Sequence, residues 1–353
     1  MTQLISHLPT LEMLPSTYAI ALTEFSAINL TGDEQTAYLQ GQVTCDVTQL
    51  NDHNMLCGAH CDAKGKVFSV FRLINRFSSH LLLQPKSSIE TSLNALQKFA
   101  IFSKVTIESN QTLSFYAVVG EQAQLQLTTL FKHVPDASTP VVQSDSTTLV
   151  YIHGKQPRYL LIDETEILEA IMNQCDLPLY NHQLWNLLEI TEGFPLLSQP
   201  VLQHYVPQML NLQAIDGISF TKGCYIGQET VARMQYLGKN KRALFSLFST
   251  NNATISALKQ TDELENKTTI DSINGTTINT GDIIEKQIGE NWRKAGEVLI
   301  SYQTDISELQ QQTCYLQAVL ASDVDQNTVL RLKNQPTITL SLADLPYDVH
   351  KEA

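Results

Sequence analysis

Beyond Gly238 the chain reads as a succession of short β-type runs. "RALFSLF", "TTIDSI", "TTINTGDIIEKQI", "KAGEVLISY", "TCYLQAVL" and "TVLRLK" follow one another, divided by Gly, Asn and Asp. Apolar faces of that texture are buried by closing strands on one another, so a separate C-terminal β-barrel or sandwich is expected. The polar stretch from Ser249 to Lys267 reads as a long surface loop.

The preceding residues mix element types. "SAINLTGDEQTAYLQGQV" predicts a strand up to Leu30, then a helix opened by the capping-box pattern Thr31-Gly32-Asp33-Glu34 and closing near Gly41. Strand-like runs follow at Leu56 to His60, Val67 to Leu73 and His80 to Leu83. Between Ser87 and Phe102, Ile89, Leu93, Leu96 and Ala100 recur at helical spacing, before a strand at Lys104 to Ile107. Further strands are expected at Leu113 to Val119, Thr148 to Tyr151 and Tyr159 to Ile162. Asn181 caps "HQLWNLLEITEGFP", where Leu184, Leu187, Leu188 and Thr191 share a face and Gly193 stops the helix ahead of Pro195. An irregular stretch from Ser198 to Ile215 then leads into an expected strand at Ile218 to Phe220 and a helix starting beside Cys224. The fold class is α+β.

At 353 residues the chain is long enough for two or three domains. No run approaches the roughly 18 apolar residues of a membrane helix, and "MTQLISHLPTLEMLP" lacks the regions of a secretory signal, so no membrane role and a cytoplasmic location are expected. Six scattered cysteines without a Cys-x-x-Cys pair read as reduced thiols. A net charge of −13 repels nucleic acid at long range and argues against extensive RNA or DNA wrapping. The chain has no G-x-S-x-G elbow, G-x-G-x-x-G or P-loop, so no nucleotide site is expected.

The stretch "FTKGCYIGQET", Phe220 to Thr230, concentrates chemistry. Gly223 and Gly227 let a strand turn sharply into a helix. A thiol at that helix start faces unpaired N–H groups and the positive end of the dipole, and Lys222 adds a charge two residues away. Both favour a thiolate at Cys224. A cysteine is equally a small apolar residue suited to a tight turn, and spacing alone does not separate the two readings.

The run Lys222-Gly223-Cys224-Tyr225-Ile226-Gly227-Gln228-Glu229 closely resembles the K-G-C-[YF]-x-G-Q-E signature of the YgfZ family, folate-binding relatives of the glycine-cleavage aminomethyltransferase, or T-protein. "YLQGQVTCDV" from Tyr38, "AHCDAKGKV" from Ala59, "FSKVTI" from Phe102, "PQMLNLQAIDGISF" from Pro207, "KRALF" from Lys241, "GENWRKAG" from Gly289 and "LPY" from Leu345 extend the resemblance over nearly the whole chain. It implies a three-domain T-protein-like fold, with ferredoxin-like α+β domains and a C-terminal β-barrel, around a cavity for a reduced folate. The expected division is 1–50 with 112–237, an inserted 51–111, and 238–347. The resemblance also implies that function rests on Cys224, with Lys222 beside it and Gly223, Tyr225, Gly227, Gln228 and Glu229 as the turn that presents it.

A pterin is a flat ring with an amide-like edge, so its pocket needs an aromatic wall, a carboxylate or amide, and cations toward the glutamate tail. Trp185 matches a tryptophan credited with folate contact in the family, although a lone Trp on an amphipathic helix is also a core residue. The family's other contact tryptophan falls at Phe25, which keeps a ring and loses the indole N–H. Related proteins have Glu-Ala before the helix-ending glycine where this chain has Thr191-Glu192. Either Glu192 swings back to the ring, or Thr191 with water replaces the contact, with Glu189 one turn from Trp185 in reserve; an exposed charged face explains both glutamates equally well. His60-Cys61-Asp62-Ala63-Lys64-Gly65-Lys66 reads as a hairpin whose Lys64 and Lys66 face the folate tail or simply solvent. Arg233 joins this set of cations. Cys57, His60 and Cys61 supply only three ligands, and alternation points Cys61 away from its neighbour, so no structural zinc is expected.

The resemblance implies a folate-dependent accessory protein, using tetrahydrofolate or a one-carbon derivative, that supports iron–sulfur enzymes such as a tRNA methylthiotransferase. T-proteins carry acidic residues shortly after the hairpin glycine; Val67-Phe68-Ser69-Val70-Phe71 has none, so little aminomethyltransferase activity is expected. Two alternatives stand beside this reading: a one-carbon transferase, and direct tRNA binding through the basic cluster of Arg233, Lys239, Lys241 and Arg242.

Overall fold

A computed structural model describes residues 3–236, 240–252, 277–305 and 311–349. The first sheet collects β1 (Leu4–Ile5), β2 (Thr17–Ala21), β8 (Leu113–Gly120), β9 (Val141–Ser144), β10 (Thr147–Ile152), β11 (Arg158–Glu164) and β12 (Leu179–Tyr180), in the order β1-β12-β2-β8-β11-β10-β9. The second holds β3 (Phe25–Thr31), β4 (Met55–Cys61), β5 (Val67–Arg76), β6 (Ser79–Pro85) and β7 (Thr106–Ser109), in the order β4-β5-β6-β3-β7. β13 (Arg242–Asn252), β14 (Ile283–Ile288), β15 (Asn291–Gln303), β16 (Gln311–Ala321), β17 (Leu330–Leu332) and β18 (Thr339–Ala343) close into the expected barrel, in the order β13-β16-β15-β14-β17-β18. Helices α1 (Gln35–Gln40), α2 (Lys86–Phe99), α3 (Ala123–Thr128), α4 (Thr165–Cys175), α5 (His182–Glu192) and α6 (Gln228–Tyr236) complete the α+β architecture.

α5 forms as its sequence predicts. The Asn181 side chain accepts from the Gln183 N–H, and Gly193 ends the helix at φ 67°, a conformation that costs glycine nothing. Its apolar residues are buried between the two sheets, in a core that also takes Phe25, Ile74 and Leu83 from the second sheet and Tyr302 from the barrel.

Four expectations change. Thr31 is the last residue of β3, paired with Ser79 and Thr106, so it cannot cap a helix; α1 starts at Gln35 after Gly32 turns the chain at φ 123°. α2 ends at Phe99 rather than Phe102. Residues 218–220 form no strand, because Ser219 donates instead to the Thr44 carbonyl of a loop. β3 belongs to the second sheet, so the sheets divide before residue 25 rather than at 51. We propose that the inserted domain begins with β3. The "TTIDSI" run and residues 253–267 of the expected loop lie outside the described residues, whereas 249–252 continue β13.

His60 points from β4 into a buried polar seam beneath α2. Its Nδ1 lies 2.9 Å from Ser92 Oγ, which also accepts from Ser69 Oγ, and its ring packs on Phe68. Burial pulls its pKa down from 6.5 to about 3, so the fold holds neutral imidazole. Since the unfolded chain takes up the proton first, stability falls as pH drops from about 6.5 towards 3 and is unaffected above that window. Urea unfolding at pH 7 and pH 4.5 should show His60→Gln flattening this acid loss by roughly 2–3 kcal/mol; equal acid losses in the two proteins would refute the assignment.

Candidate functional site

The signature turn is built by backbone, not by its helix. Cys224 is exposed, as a reactive thiol requires, but α6 begins four residues later at Gln228. The helix N-terminus therefore does not start beside the sulfur. Lys222 is also turned away from it. Its ammonium is buried and donates to the carbonyls of Gln40 (2.7 Å), Val43 (2.8 Å) and Cys45 (2.7 Å), with the Tyr225 ring 5.1 Å off. All three N–H donors are engaged. Burial lowers the lysine's pKa to about 8, with Cys45 and Asp46 opposing. Lys222 thus clasps the loop after α1 rather than activating the thiol.

Two glycines complete the clasp. Gly227 sits at φ 86°, where a Cβ would come within 2.6 Å of the Asp62 carbonyl and 2.9 Å of Gly65 Cα. Gly65, at φ 74°, would in turn meet Thr230 at 3.0 Å. The hairpin turn and the cysteine turn therefore touch backbone to backbone. Ile226 N–H donates to Gly41, and Thr44 Oγ1 donates to Gly217, so "YLQGQVTCDV", "AHCDAKGKV" and "KGCYIGQE" assemble into one cluster. Gly223 meets nothing within 4 Å. Lys66 Nζ is held by the His204 carbonyl, Lys64 is exposed, and Arg233 pairs loosely with Glu229 at 3.7 Å.

A cavity of about 600 Å³ lies where the two sheets, the end of α5 and the C-terminal segment converge. Cys57 and Arg72 line it from the second sheet, Ile152 to Lys155 and Arg158 from the first, and Glu192, Phe194, Asp216 and Tyr347 from the segments between. Behind its wall, Glu189 is fully buried and bridges two buried arginines. Arg72 Nη2 donates to both of its oxygens (3.0 and 2.8 Å), and Arg158 Nη1 to Oε1 (2.7 Å). One carboxylate between two guanidiniums leaves this triad with a net positive charge, while Glu192 and Asp216 bring carboxylates to the same lining. Burial, opposed by Glu189, lowers the pKa of Arg158, and its Nε has no partner among the described residues. The Arg72 guanidinium also stacks 3.6 Å from the Phe194 ring centroid.

Glu192 reaches this cavity. Its Oε1 accepts from the Lys155 N–H at 2.7 Å, and its carboxylate occupies the space a Cβ on Gly154 would need. Thr191 is instead bonded back to the Leu188 carbonyl. Glu189 is a buried bridging residue, not an exposed one. Trp185 and Phe25 lie one layer away: both are buried, 6.4 Å apart edge to face, and the Arg158 guanidinium is 5.1 Å from the indole. They border a separate cavity of about 300 Å³ that His182 also lines; Trp185 Nε1 and His182 Nδ1 have no hydrogen-bond partner among the described residues.

The sulfur of Cys224 lines neither cavity. Sequence reasoning missed Arg72, Arg158 and Tyr347. A lone arginine in the apolar run "VFSVFRLI" was the available signal for the first. Among the described residues no group of His, Cys, Asp and Glu is placed to hold a metal, and Cys61 is buried with its pKa raised by that burial.

Known proteins resemble this chain at three levels. The model of the YgfZ β-barrel domain matches residues 273–335. The tRNA-modifying protein YgfZ of Colwellia psychrerythraea is 54% identical over 345 residues, covering 98% of both chains. Its counterpart in Yersinia enterocolitica is 36% identical over 336 residues, covering 94% of this chain and 93% of the relative. The crystal structure of the glycine cleavage system aminomethyltransferase T from Bartonella henselae superposes with a TM-score of 0.67 at 11% identity, over 97% of this chain and 88% of that one. That likeness establishes a T-protein-like fold.

The two glycines of the cysteine turn should respond oppositely to a methyl group. Gly227→Ala adds a Cβ against backbone at a positive φ and should cost at least about 2 kcal/mol, whereas Gly223→Ala enters open space and should cost under about 1 kcal/mol. Denaturant unfolding checks both, and equal losses would contradict the packing described.

Proposed function

The chain belongs to the YgfZ family, and on that premise we propose that it acts in tRNA modification as a folate-binding accessory protein of the cytoplasm, supporting an iron–sulfur enzyme through Cys224. The observation that carries the folate reading is the 600 Å³ cavity, within the size range of cofactor sites, whose lining sets the carboxylates of Glu192 and Asp216 and the guanidiniums of Arg72 and Arg158 among apolar residues.

The residues fit the group. Glu192 Oε2 makes no hydrogen bond among the described residues and is free to accept from the N–H edge of a pterin. Arg72 and Arg158, which line the cavity, place guanidiniums beside the ring carbonyl. Tyr347 supplies an aromatic wall whose hydroxyl is fixed by donation to Gly193 O at 2.7 Å. A bound tetrahydrofolate would supply a carrier for one-carbon units between its two reactive nitrogens. Strand β5 places Arg72, not a carboxylate, into this cavity, which speaks against aminomethyl transfer.

The thiol acts elsewhere. Cys224 is exposed on the motif cluster and faces out of the protein, where a macromolecular client reaches it. Lys222, Gly65 and Gly227 hold it there. In this reading folate occupancy and thiol chemistry are separable, and the client is an iron–sulfur enzyme such as a tRNA methylthiotransferase.

Separability is directly measurable. Cys224→Ser should leave calorimetric affinity for 5-formyltetrahydrofolate within about twofold and abolish support of iron–sulfur enzyme activity in cells. Glu192→Ala and Arg72→Leu should weaken the folate by roughly tenfold or more each. No heat on titrating the wild type would sink the folate reading, and full activity of Cys224→Ser would sink the thiol.

A further inference from the structure

The turn between α2 and β7 holds aromatic side chains in open water. Phe102 is 97% exposed, Ile101 77% and Phe99 52%. This is not a loose end. Ser103 N–H donates to Ala100 O and Val105 N–H to Ser103 O, while Lys104 is bonded on both sides to Glu34, through its N–H to the carboxylate and through its carbonyl to the Glu34 N–H. Gly32 packs so close that a Cβ there would come within 2.4 Å of the Lys104 carbonyl. A firmly held turn that leaves Phe102 and Ile101 largely exposed has surface to offer.

The charge around it is unlike the rest of the chain. Lys98 and Lys104 flank the rings, both exposed, and neither pairs with a carboxylate among the described residues. Lys98 Nζ lies 5.8 Å from the Phe99 ring centroid. From Thr91 to Ile107 the sequence contains no acid, in a protein whose net charge is −13; the nearest carboxylate in contact is that of Glu34. A polyanion repelled by most of this surface meets two free cations and flat rings here. Unpaired bases stack on aromatic faces while lysines meet the phosphates, whereas lysine is depleted at protein–protein interfaces.

We propose that the Phe99–Lys104 turn is a contact site for single-stranded RNA, in which bases of an unpaired loop stack on Phe102 and Phe99 and Lys98 and Lys104 meet the flanking phosphates. This rests on the reading of the chain as acting in tRNA modification. It moves direct RNA contact away from the Arg233, Lys241 and Arg242 cluster, where Arg233 is already paired with Glu229 and Lys239 lies outside the described residues. The contact is small, so affinity is modest and its salt dependence shallow.

Fluorescence anisotropy with a labelled RNA hairpin carrying an unpaired loop tests it, at about 50 mM salt. Wild type should bind with a log–log salt slope near −1.4, the value for about two phosphates on a single strand. Phe102→Ser should weaken binding roughly ten- to a hundredfold. Lys98→Gln should flatten the slope by about 0.7. The stem closed as a blunt duplex should not compete. Folate affinity of both variants should equal wild type, because turn and cavity share no residue; failure of wild type to bind folate would therefore refute the cavity assignment without touching this one. No hairpin binding by wild type, or binding unchanged by Phe102→Ser, overturns the proposal. If Phe102→Ser leaves RNA affinity intact yet fails to restore tRNA modification in cells, the turn belongs to a protein partner instead.

Discussion

The end of α5 around Glu189 is where the three parts of this protein are tied together. Arg72 comes to it from the second sheet, Arg158 from the first, and Glu189 itself stands on α5. From the barrel, Gln317 Nε2 donates to the Glu189 and Phe194 carbonyls, while Ser246 Oγ donates to that of Ile190. Burying three charges is expensive, and a better packed apolar set would often be more stable. What the arrangement secures is geometry: two guanidiniums that face the cavity are held at their inner ends by one anion. Removal of that anion would leave two cations in a dry interior, a loss of about 3–5 kcal/mol in comparable cases.

One anion faces two cations there, while Glu192 and Asp216 bring carboxylates to the same cavity. The same helix end that carries Glu189 delivers Glu192, less than one turn further on. Gly193 then stops the helix and admits Tyr347 and Leu345 so closely that a Cβ would come within 2.6 Å of the leucine. The carboxylate of Glu192 therefore reaches the cavity because of the length of α5 and the glycine that ends it. A flat ligand with a donor edge and an acceptor carbonyl is oriented by such a lining, while a purely apolar one is not.

Much of this was legible in order along the chain. Asn181, the apolar spacing of α5 and Gly193 are local signals, and they placed the helix within a residue. The β-type texture after Gly238 is likewise local, and the barrel follows from it. What escaped was decided by partners distant in sequence. Residues 218–220 look like a strand, but the Ser219 N–H is claimed by Thr44, far away along the chain. Thr31 has the residue type of a cap, yet β3 had already paired it on both sides. Lys222 stands two residues from Cys224 in sequence, and proximity along the chain suggested an activating charge; three carbonyls from residues 40–45 took that charge instead. Glu189 and Glu192 were both read as exposed or ligand-facing, since spacing cannot reveal which arginines will arrive from other sheets.

The same distinction explains how the signature can be long while its chemistry is short. Lys222 grips a loop, Tyr225 packs against that lysine, and Gly227 lets the hairpin approach; each is committed to holding the turn. The Cys224 side chain, by contrast, is exposed. Folate, in the reading supported here, sits behind a different wall, bounded by arginines that belong to the sheets. On that reading the folate and the thiol do not share one pocket, as a transferase would require to form a reactive pair within bonding distance. It can instead present a thiol at the surface while a ligand inside stabilises the walls on which that surface is mounted. Coupling between the two would have to pass through the backbone contact of Gly65 with Gly227 and along β4 and β5, whose far ends carry Cys57 and Arg72 into the cavity.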